Sequence, residues 1–213
     1  GGVWTAMLDL LDRAGDAHRA MVVLRHHDGK PQTWSISATA PASRIEGSPL
    51  RDEDTGLPTE PVLHDRLELS INRAIRNGRR TCLVVFVIDG FDELVAAVGD
   101  DMAGQLVVAA ATALSGDVRP GDTLARTAID RFEVVRDDVS DIQDAERFAE
   151  RLRVCLDEPV VVEGVRWYLS LSAGVALTQP GVTTVAGLRR NGQTALDQAV
   201  KLGGAHTVVF GRA

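Results

Sequence analysis

The feature of this sequence that most constrains its fold is the apolar run "TCLVVFVID" at residues 81–89. The run has the length of a strand, and its side chains from Cys82 to Ile88 are apolar without alternation. A strand with one solvated face alternates polar and apolar residues, so this run predicts a central strand that is buried on both faces. We therefore expect a sheet with helices flanking it.

Helical and strand patterns alternate around this run. A helix with its apolar stripe at one face precedes the run and ends at Asn77-Gly78. The later elements are, in order, a helical region from about Phe91 to Leu114 broken near Gly99, strands "TLARTAI" and "RFEVV", a helix capped by Ser140 and Gln143, a hairpin turning at Glu163-Gly164, a helix from about Thr184, and strand "TVVF". This order predicts an α+β, ferredoxin-like domain with a central, mostly antiparallel sheet flanked by helices.

The chain changes character near residue 50. Residues 4–14 predict a short amphipathic helix, and "AMVVLRHHDGKPQTWSISATA" predicts two strands about a turn at Asp28-Gly29. The following stretch, "PASRIEGSPLRDEDTGLP", is rich in Pro, Gly, Ser and acidic residues, which is typical of a linker or an exposed loop. We therefore predict a first unit over residues 1–50 and a main domain over residues 51–213.

Composition excludes several classes of function. The hydrophobic fraction of 45% and the charged fraction of 25% are those of a folded, water-soluble chain. A net charge of -7 argues against general affinity for nucleic acid or an anionic membrane, although a local basic patch can still bind a small anion. Without an apolar run of spanning length or a secretion signal, we expect a cytoplasmic protein. Cys82 and Cys155 have no CxxC spacing, which predicts two reduced thiols.

Five segments carry a family resemblance: "DTGLP", "VVFVIDGFDELVAAVG", "RPGDTLARTAIDRFEVV", "FAERLR" and "LSAGVAL". In order and spacing, over about residues 52 to 210, they resemble the GGDEF domain of diguanylate cyclases. The resemblance implies a nucleotidyl-cyclase-type variant of the predicted fold and a role in bacterial signal transduction. The segment before it resembles the C-terminal part of a PAS sensor domain.

The resemblance also implies a degenerate active site. Family members join two GTP molecules into cyclic di-GMP with metal ions held by carboxylates. The five signature positions here are Ala128, Ile129, Asp130, Arg131 and Phe132. The family's acidic residue at Arg131 is thus replaced by the opposite charge, and the β-branched Ile129 resists the positive φ that glycine admits. The first metal-binding aspartate falls on Val87, and Asp89 matches a second family aspartate that is not the same ligand.

The family's substrate-binding positions are changed as well. Those that hydrogen-bond guanine fall on Val95 and Gly104, and basic positions that bind phosphate fall on Asp92, Val200 and Gly204. Apolar groups in place of hydrogen-bonding ones remove both affinity and selectivity. We therefore predict no cyclase activity, no catalytic residues, no metal site and no required cofactor, Mg²⁺ included, with Val87 and Val95 serving as core residues.

One family constellation survives in "RPGD", where Arg119 and Asp122 keep the arginine-x-x-aspartate spacing of the inhibitory cyclic di-GMP site. Arginine can bind the O6 and N7 edge of guanine or a phosphate in two places, and aspartate can accept from guanine N–H groups. Arg151 falls where a second family arginine reaches this kind of ligand from a partner or a neighbouring surface. Further positive potential is expected from Arg126, Arg147 and Arg153. The alternative is that Pro-Gly forms a structural turn with a solvated Arg119.

Three hypotheses follow. The first is an inactive GGDEF domain that binds cyclic di-GMP and relays it to a second copy in a homodimer or to a partner domain of its own chain. The second is a dimerisation or interaction domain that needs no nucleotide. The third is a weak cyclase acting through Asp89, Asp130 and a rearranged metal site. None of the three involves nucleic acid or a membrane.

Overall fold

The structure is a computed structural model that describes residues 3–11, 17–26, 34–39, 50–179 and 184–211. The chain divides into two compact units, Gly1–Ser48 and Pro49–Ala213. The turn predicted at Asp28-Gly29 lies outside the described residues. In the described part of the chain, no helix is long and apolar enough to cross a membrane.

The first unit is a three-stranded antiparallel sheet in the order β1-β2-β3. Its strands are β1 (Val3–Leu11), β2 (Ala17–His26) and β3 (Trp34–Thr39). The two strands predicted within residues 20–40 are confirmed, although the first begins earlier, at Ala17, whereas the helix predicted over residues 4–14 is wrong. Val3 to Leu11 instead pair with Ala17 to Arg25 along their whole length, because a ladder partner supplies the backbone hydrogen bonds that local periodicity cannot anticipate.

The second unit is built on a five-stranded sheet in the order β10-β9-β4-β6-β5. Its strands are β4 (Arg80–Ile88), β5 (Thr123–Ala128), β6 (Arg131–Val139), β9 (Leu171–Leu177) and β10 (Thr207–Val209). All neighbours are antiparallel except β9 and β10, which run parallel. The predicted hairpin at Glu163-Gly164 is confirmed as β7 (Val160–Val162) and β8 (Val165–Trp167). The residues that follow β8 form β9, which pairs with β4 in the main sheet. This confirms the α+β, ferredoxin-like fold.

Helices cover both faces of β4. They are α1 (Glu60–Asn77), α2 (Phe91–Val98), α3 (Asp100–Asp117), α4 (Ile142–Arg153) and α5 (Val185–Lys201). Val84 and Phe86 belong to a core cluster with α3 and α4, whereas Leu83 and Val85 belong to a second cluster with α1 and α5. The prediction of a strand buried on both faces is confirmed.

Helix ends follow local chemistry, with one correction. α1 ends at Gly78 with a φ of 63°, and Gly99, with a φ of 83°, separates α2 from α3, as predicted. The capping box predicted for Ser140 and Gln143 is wrong by one residue. Asp141 caps α4 by accepting the Asp144 N–H at 2.7 Å, and Ser140 donates to the Asp144 carboxylate. The Asp144 carboxylate accepts the backbone N–H of Ser140 rather than that of Asp141, so the return bond of a capping box goes to the residue before the cap.

Gly174 sets how closely α5 approaches β9. A Cβ at this position would lie 2.7 Å from the Leu196 Cα and would overlap the backbone of Leu196 and Gly192. Such an overlap involves main chain on a helix and cannot be relieved by a side-chain rotation. The helix rests on the sheet only because this strand residue has no side chain.

We predict that Gly174→Ala lowers the free energy of unfolding by at least about 2 kcal/mol, because α5 must move off the sheet. Urea unfolding measures the change. Gly104→Ala in α3 is the matched control, because its added Cβ would meet no described atom within 4 Å. That control should stabilise by about 0.5 to 1 kcal/mol. Equal stability of Gly174→Ala and the wild type would contradict the close approach.

Candidate functional site

The end of β4 lies beside the start of β6. Val87 and Arg131 are partners across the two strands, and Val87 packs against the core cluster shared by α1 and α5. The Arg131 Nη1 donates to the Gln193 side chain on α5 at 2.7 Å, while its Nε has no partner in the described part of the chain. Val87, which is apolar, and Arg131, which is a cation, therefore lie side by side at positions where the GGDEF resemblance leads us to expect carboxylates.

Asp89 accepts hydrogen bonds from within the fold on both of its carboxylate oxygens. Its carboxylate accepts the hydroxyls of Ser170 at 2.8 Å and Ser172 at 2.6 Å, and the backbone N–H of Ala205 at 2.9 Å. A Cβ on Gly204 would lie 3.0 Å from this carboxylate, so the glycine leaves room for it. Asp89 thus ties the end of β4 to the start of β9 and to the loop before β10.

The hairpin between β5 and β6 turns through Ile129 and Asp130, and neither residue has a positive φ. The turn at Glu163-Gly164 has φ values of 51° and 77°, as a type I′ turn requires. The Ile129 turn therefore belongs to another type, as its β-branched residue predicts. Ala128 and Ile129 are exposed, whereas Phe132 is completely buried in the core.

Arg126 holds this hairpin to the segment before α1. Its guanidinium donates to the carbonyls of Ala128 and Ile129, and it forms ion pairs with Asp52 at 3.0 Å and Asp54 at 3.1 Å. Burial raises the pKa of Asp52, but hydrogen bonds from Thr55 and Arg126 outweigh this and hold the pKa below its usual value. Arg126 is consequently a structural residue rather than a free cation.

Of the positions expected to bind GTP, Gly104 lines an acidic cleft and the others lie elsewhere on the domain. Gly104 lines an open cleft of about 740 Å³ whose charged lining residues are all carboxylates: Asp54, Asp100, Asp101 and Glu163. Val95 is partly buried against the core, Asp92 is exposed in the first turn of α2, and Val200 is exposed on α5. An anionic triphosphate would meet negative charge here. Within the described residues, no group of three or more His, Cys, Asp or Glu is placed to hold a metal ion.

The other candidate site lies at the start of β5. Asp122 donates its backbone N–H to the Arg119 carbonyl at 3.1 Å, so "RPGD" does form a turn. Arg119 is exposed, whereas Asp122 is half-buried, and its Oδ2 has no hydrogen-bond partner among the described residues. Burial raises the pKa of Asp122, opposed in decreasing order by the charge of Arg136, a backbone hydrogen bond from Arg119, and the charges of Arg119 and Arg151.

Arg151 reaches the same site from α4. Its Nη1 donates to the Asp117 carbonyl at 2.8 Å and lies 3.3 Å from the Asp117 carboxylate. Its Nη2 is buried and, like the Asp122 Oδ2, has no partner within the described chain. The charges of Arg119 and Arg151 thus act on Asp122 within one molecule, whereas the sequence prediction had Arg151 reaching the ligand from a partner or a neighbouring surface.

Arg147 and Arg153 were expected to add positive potential to this site. Arg153 is neutralised by Glu150 at 2.7 Å and Asp157 at 3.8 Å, and Arg147 lines a neighbouring groove between α4 and residues 205–207. Sequence reasoning missed Arg136, whose charge acts on Asp122 more strongly than that of Arg119. Only the register of β5 and β6, in which Thr123 is the partner of Val135, places Arg136 beside Asp122.

A family model described as "Diguanylate cyclase, GGDEF domain" matches residues 50–206. The chain belongs to the GGDEF family. It is 34% identical over 128 residues to MucR of Pseudomonas aeruginosa, a bifunctional diguanylate cyclase and cyclic di-GMP phosphodiesterase. That alignment covers 60% of this chain. The chain spans only 18% to 20% of the length of the curated relatives it matches.

Solved GGDEF structures have the same fold. The diguanylate cyclase SiaD of Pseudomonas aeruginosa, solved with its activator SiaC, matches with a TM-score of 0.70 and 26% identity, over 76% of this chain and 62% of that chain. The GGDEF domain of DgcB from Caulobacter crescentus, solved with cyclic di-GMP, matches with a TM-score of 0.71 and 19% identity, over 76% of this chain and 93% of that chain. The resemblance of the first unit to a PAS domain stays a prediction.

We predict that Asp89→Ala lowers the free energy of unfolding by about 2 kcal/mol or more, because Ser170, Ser172 and the Ala205 N–H lose their shared acceptor. Thermal and urea unfolding measure the loss. Asp130→Ala is the control, since its carboxylate makes no hydrogen bond or ion pair with the described chain, and it should change stability by less than about 0.5 kcal/mol. Similar values for both variants would show that Asp89 does not hold the fold together.

Proposed function

We propose that this GGDEF domain lacks cyclase activity, binds cyclic di-GMP at Arg119, Asp122 and Arg151, and relays that binding to a partner. One observation carries the proposal: a buried carboxylate oxygen of Asp122, which has no donor among the described residues, lies where the charges of three arginines act. A buried acceptor without a partner costs free energy, which a ligand with a suitable donor recovers.

The chemistry required of that ligand is specific. It must offer N–H donors to Asp122 and acceptors to the unpaired Arg151 Nη2. Guanine offers N1–H and N2–H donors on one edge and the O6 and N7 acceptors on the next. A phosphate offers further acceptors to the exposed Arg119. Cyclic di-GMP carries both groups, and the cyclic di-GMP complex of the related DgcB domain supports this choice of ligand.

The residues at the other site do not fit a two-metal centre. Val87 offers no ligand atom, Arg131 is a cation, and the Asp89 carboxylate already accepts three hydrogen bonds. Two-metal phosphoryl transfer needs several carboxylates around both ions. The proposed function therefore uses no metal ion and no cofactor.

The relay would use a second copy of this domain or another domain of a longer protein. Ligand binding shifts an equilibrium between two domain arrangements only through its different affinity for each. Arg151, which also holds Asp117 at the end of α3, connects the ligand site to two helices. The SiaD complex with SiaC is an example of a GGDEF protein with a protein partner.

A nucleotide-independent interaction domain is the second candidate. It is favoured by the exposure of the large apolar residues Ile129, Val200 and Leu202, which are 64%, 47% and 63% exposed. Two of these residues occupy positions that the resemblance assigns to the active site. Exposed apolar side chains are frequent at protein interfaces, but single ones also occur on ordinary surfaces.

We predict that calorimetric titration of the domain with cyclic di-GMP gives micromolar or tighter binding. Arg119→Ala and Asp122→Asn should each weaken it at least about tenfold, because each removes a charged hydrogen bond to the ligand. Arg66→Ala, which removes an exposed arginine on α1 at the opposite face of the sheet, is the matched control and should bind like the wild type. Absence of heat at high protein concentration would leave the interaction domain as the better explanation.

We also predict no cyclic di-GMP product from GTP with Mg²⁺ or Mn²⁺. The measurement is chromatography of long incubations at high enzyme concentration, with a GGDEF cyclase such as SiaD as the positive control. Product that disappears in an Asp130→Ala variant would contradict the proposal and establish a rearranged metal site. Product that survives that variant would be traced to contamination by purifying the protein again.

A further inference from the structure

Arg136 is an arginine of β6 whose guanidinium lies over an aromatic ring beside the candidate site. Its guanidinium carbon is 4.6 Å from the centre of the Phe148 ring, and its side chain is only 15% exposed. The Arg151 guanidinium carbon lies 5.7 Å from the centre of the same ring. Phe148, itself 2% exposed on α4, is thus shared by two cations.

The register of the sheet explains why Arg136 acts on Asp122. Thr123 is the partner of Val135, so the residue before Thr123 lies next to the residue after Val135. On its other side Arg136 is the partner of Cys82 in β4. The Arg136 guanidinium lies over Phe148 of α4 and forms an ion pair with Asp144 at 3.9 Å, and its charge also acts on the half-buried carboxylate of Asp122 that the proposed ligand would use.

We propose that Arg136 is a positioning residue of the ligand site, which keeps the buried Asp122 carboxylate charged and fixed as a hydrogen-bond acceptor for a purine N–H edge. Through Phe148 it also supports Arg151. This inference rests on the proposed binding of cyclic di-GMP. It adds a residue of β6 that the arginine-x-x-aspartate spacing of Arg119 and Asp122 does not include.

The charged and titratable groups around Asp122 and Arg136 come from four elements. Arg119 in its own turn, Arg136 on β6 and Arg151 on α4 act on Asp122, Cys82 on β4 is affected by the charge of Asp122, and Asp144 on α4 forms an ion pair with Arg136 at 3.9 Å. Burial raises the pKa of Cys82 to about 12, so that thiol stays neutral. Burial raises the pKa of Asp144 too, but hydrogen bonds from Ser140 and the charge of Arg136 hold it below its usual value.

Loss of the Arg136 charge is expected to raise the pKa of Asp122. Burial raises the pKa of Asp122, and the positive charge of Arg136 opposes that rise. Without that charge the pKa of Asp122 rises further, so the carboxylate takes up a proton at a higher pH. A protonated Asp122 is a poorer acceptor for two N–H donors, so ligand affinity then falls at a higher pH than in the wild type.

The experiment uses three variants. Arg136→Met keeps an apolar stem over Phe148 but removes the charge, Arg136→Lys keeps the charge, and Arg136→Gln is a second neutral variant should the methionine fail to fold. A carbon-13 NMR titration of the Asp122 carboxyl from about pH 4 to about pH 8 needs no ligand. We expect a higher pKa of Asp122 in the neutral variants and a value near the wild type in Arg136→Lys. Equal values in all proteins overturn the inference.

Calorimetry with cyclic di-GMP over the same pH range provides the second arm. At mildly acidic pH the neutral variants should bind at least about tenfold more weakly, with the loss beginning at a higher pH, and Arg136→Lys should restore the profile. If the wild type binds but the neutral variants have its affinity and pH profile, the role of Arg136 is refuted while the proposed function stands. If the wild type does not bind, the proposed function fails, and the carboxyl titration still decides whether Arg136 sets the charge of Asp122.

Discussion

Burial of β4 on both faces is the constraint on which the rest of the second unit depends. Its side chains alternate between a cluster with α3 and α4 and a cluster with α1 and α5, so four helices are fixed relative to one strand. The two candidate sites lie at opposite ends of that strand. Val87 marks one end and Cys82, the partner of Arg136, marks the other, about 17 Å apart at about 3.4 Å per residue. Amino-acid substitutions at the Val87 end can therefore leave the side chains at the Cys82 end in place.

The two ends of β4 differ in which of their buried polar atoms lack a hydrogen-bond partner in the described chain. At the Val87 end, Asp89 has three donors and Arg131 has a partner in Gln193, so the buried side-chain atoms without a partner in the described chain are the Arg131 Nε and the Thr127 hydroxyl. At the Asp122 end they are a carboxylate oxygen of Asp122 and the Arg151 Nη2. Within the described residues, the Asp122 end thus combines a buried anionic acceptor with a buried cationic donor, which suits a group with both N–H donors and acceptors, as a purine edge has. The polar atoms thus favour a ligand at the end where the family motif survives.

Sequence reasoning succeeded where a local rule decides the structure. The unbroken apolar run from Cys82 to Ile88 gave the central strand, and the β-branched Ile129 excluded a hairpin of type I′. It failed for residues 4–14, because β1 owes its conformation to pairing with β2. Arg136 was missed for a related reason: its place beside Asp122 depends on the register of two strands, which a single sequence does not contain.

Negative charge lines the cleft at Gly104, whereas positive charge is concentrated around Asp122. The cleft at Gly104 is lined by carboxylates, whereas three arginines surround the one carboxylate of Asp122, in a chain whose net charge is -7. An anionic ligand is therefore attracted to one end and repelled from the other. At the attractive end, Arg151 on α4 donates to the backbone carbonyl of Asp117 at the end of α3 and also lies 3.3 Å from the Asp117 carboxylate, two contacts that link these helices. A ligand that draws Arg151 away from Asp117 would loosen one of these links, which is the kind of differential contact that a relay between domains needs.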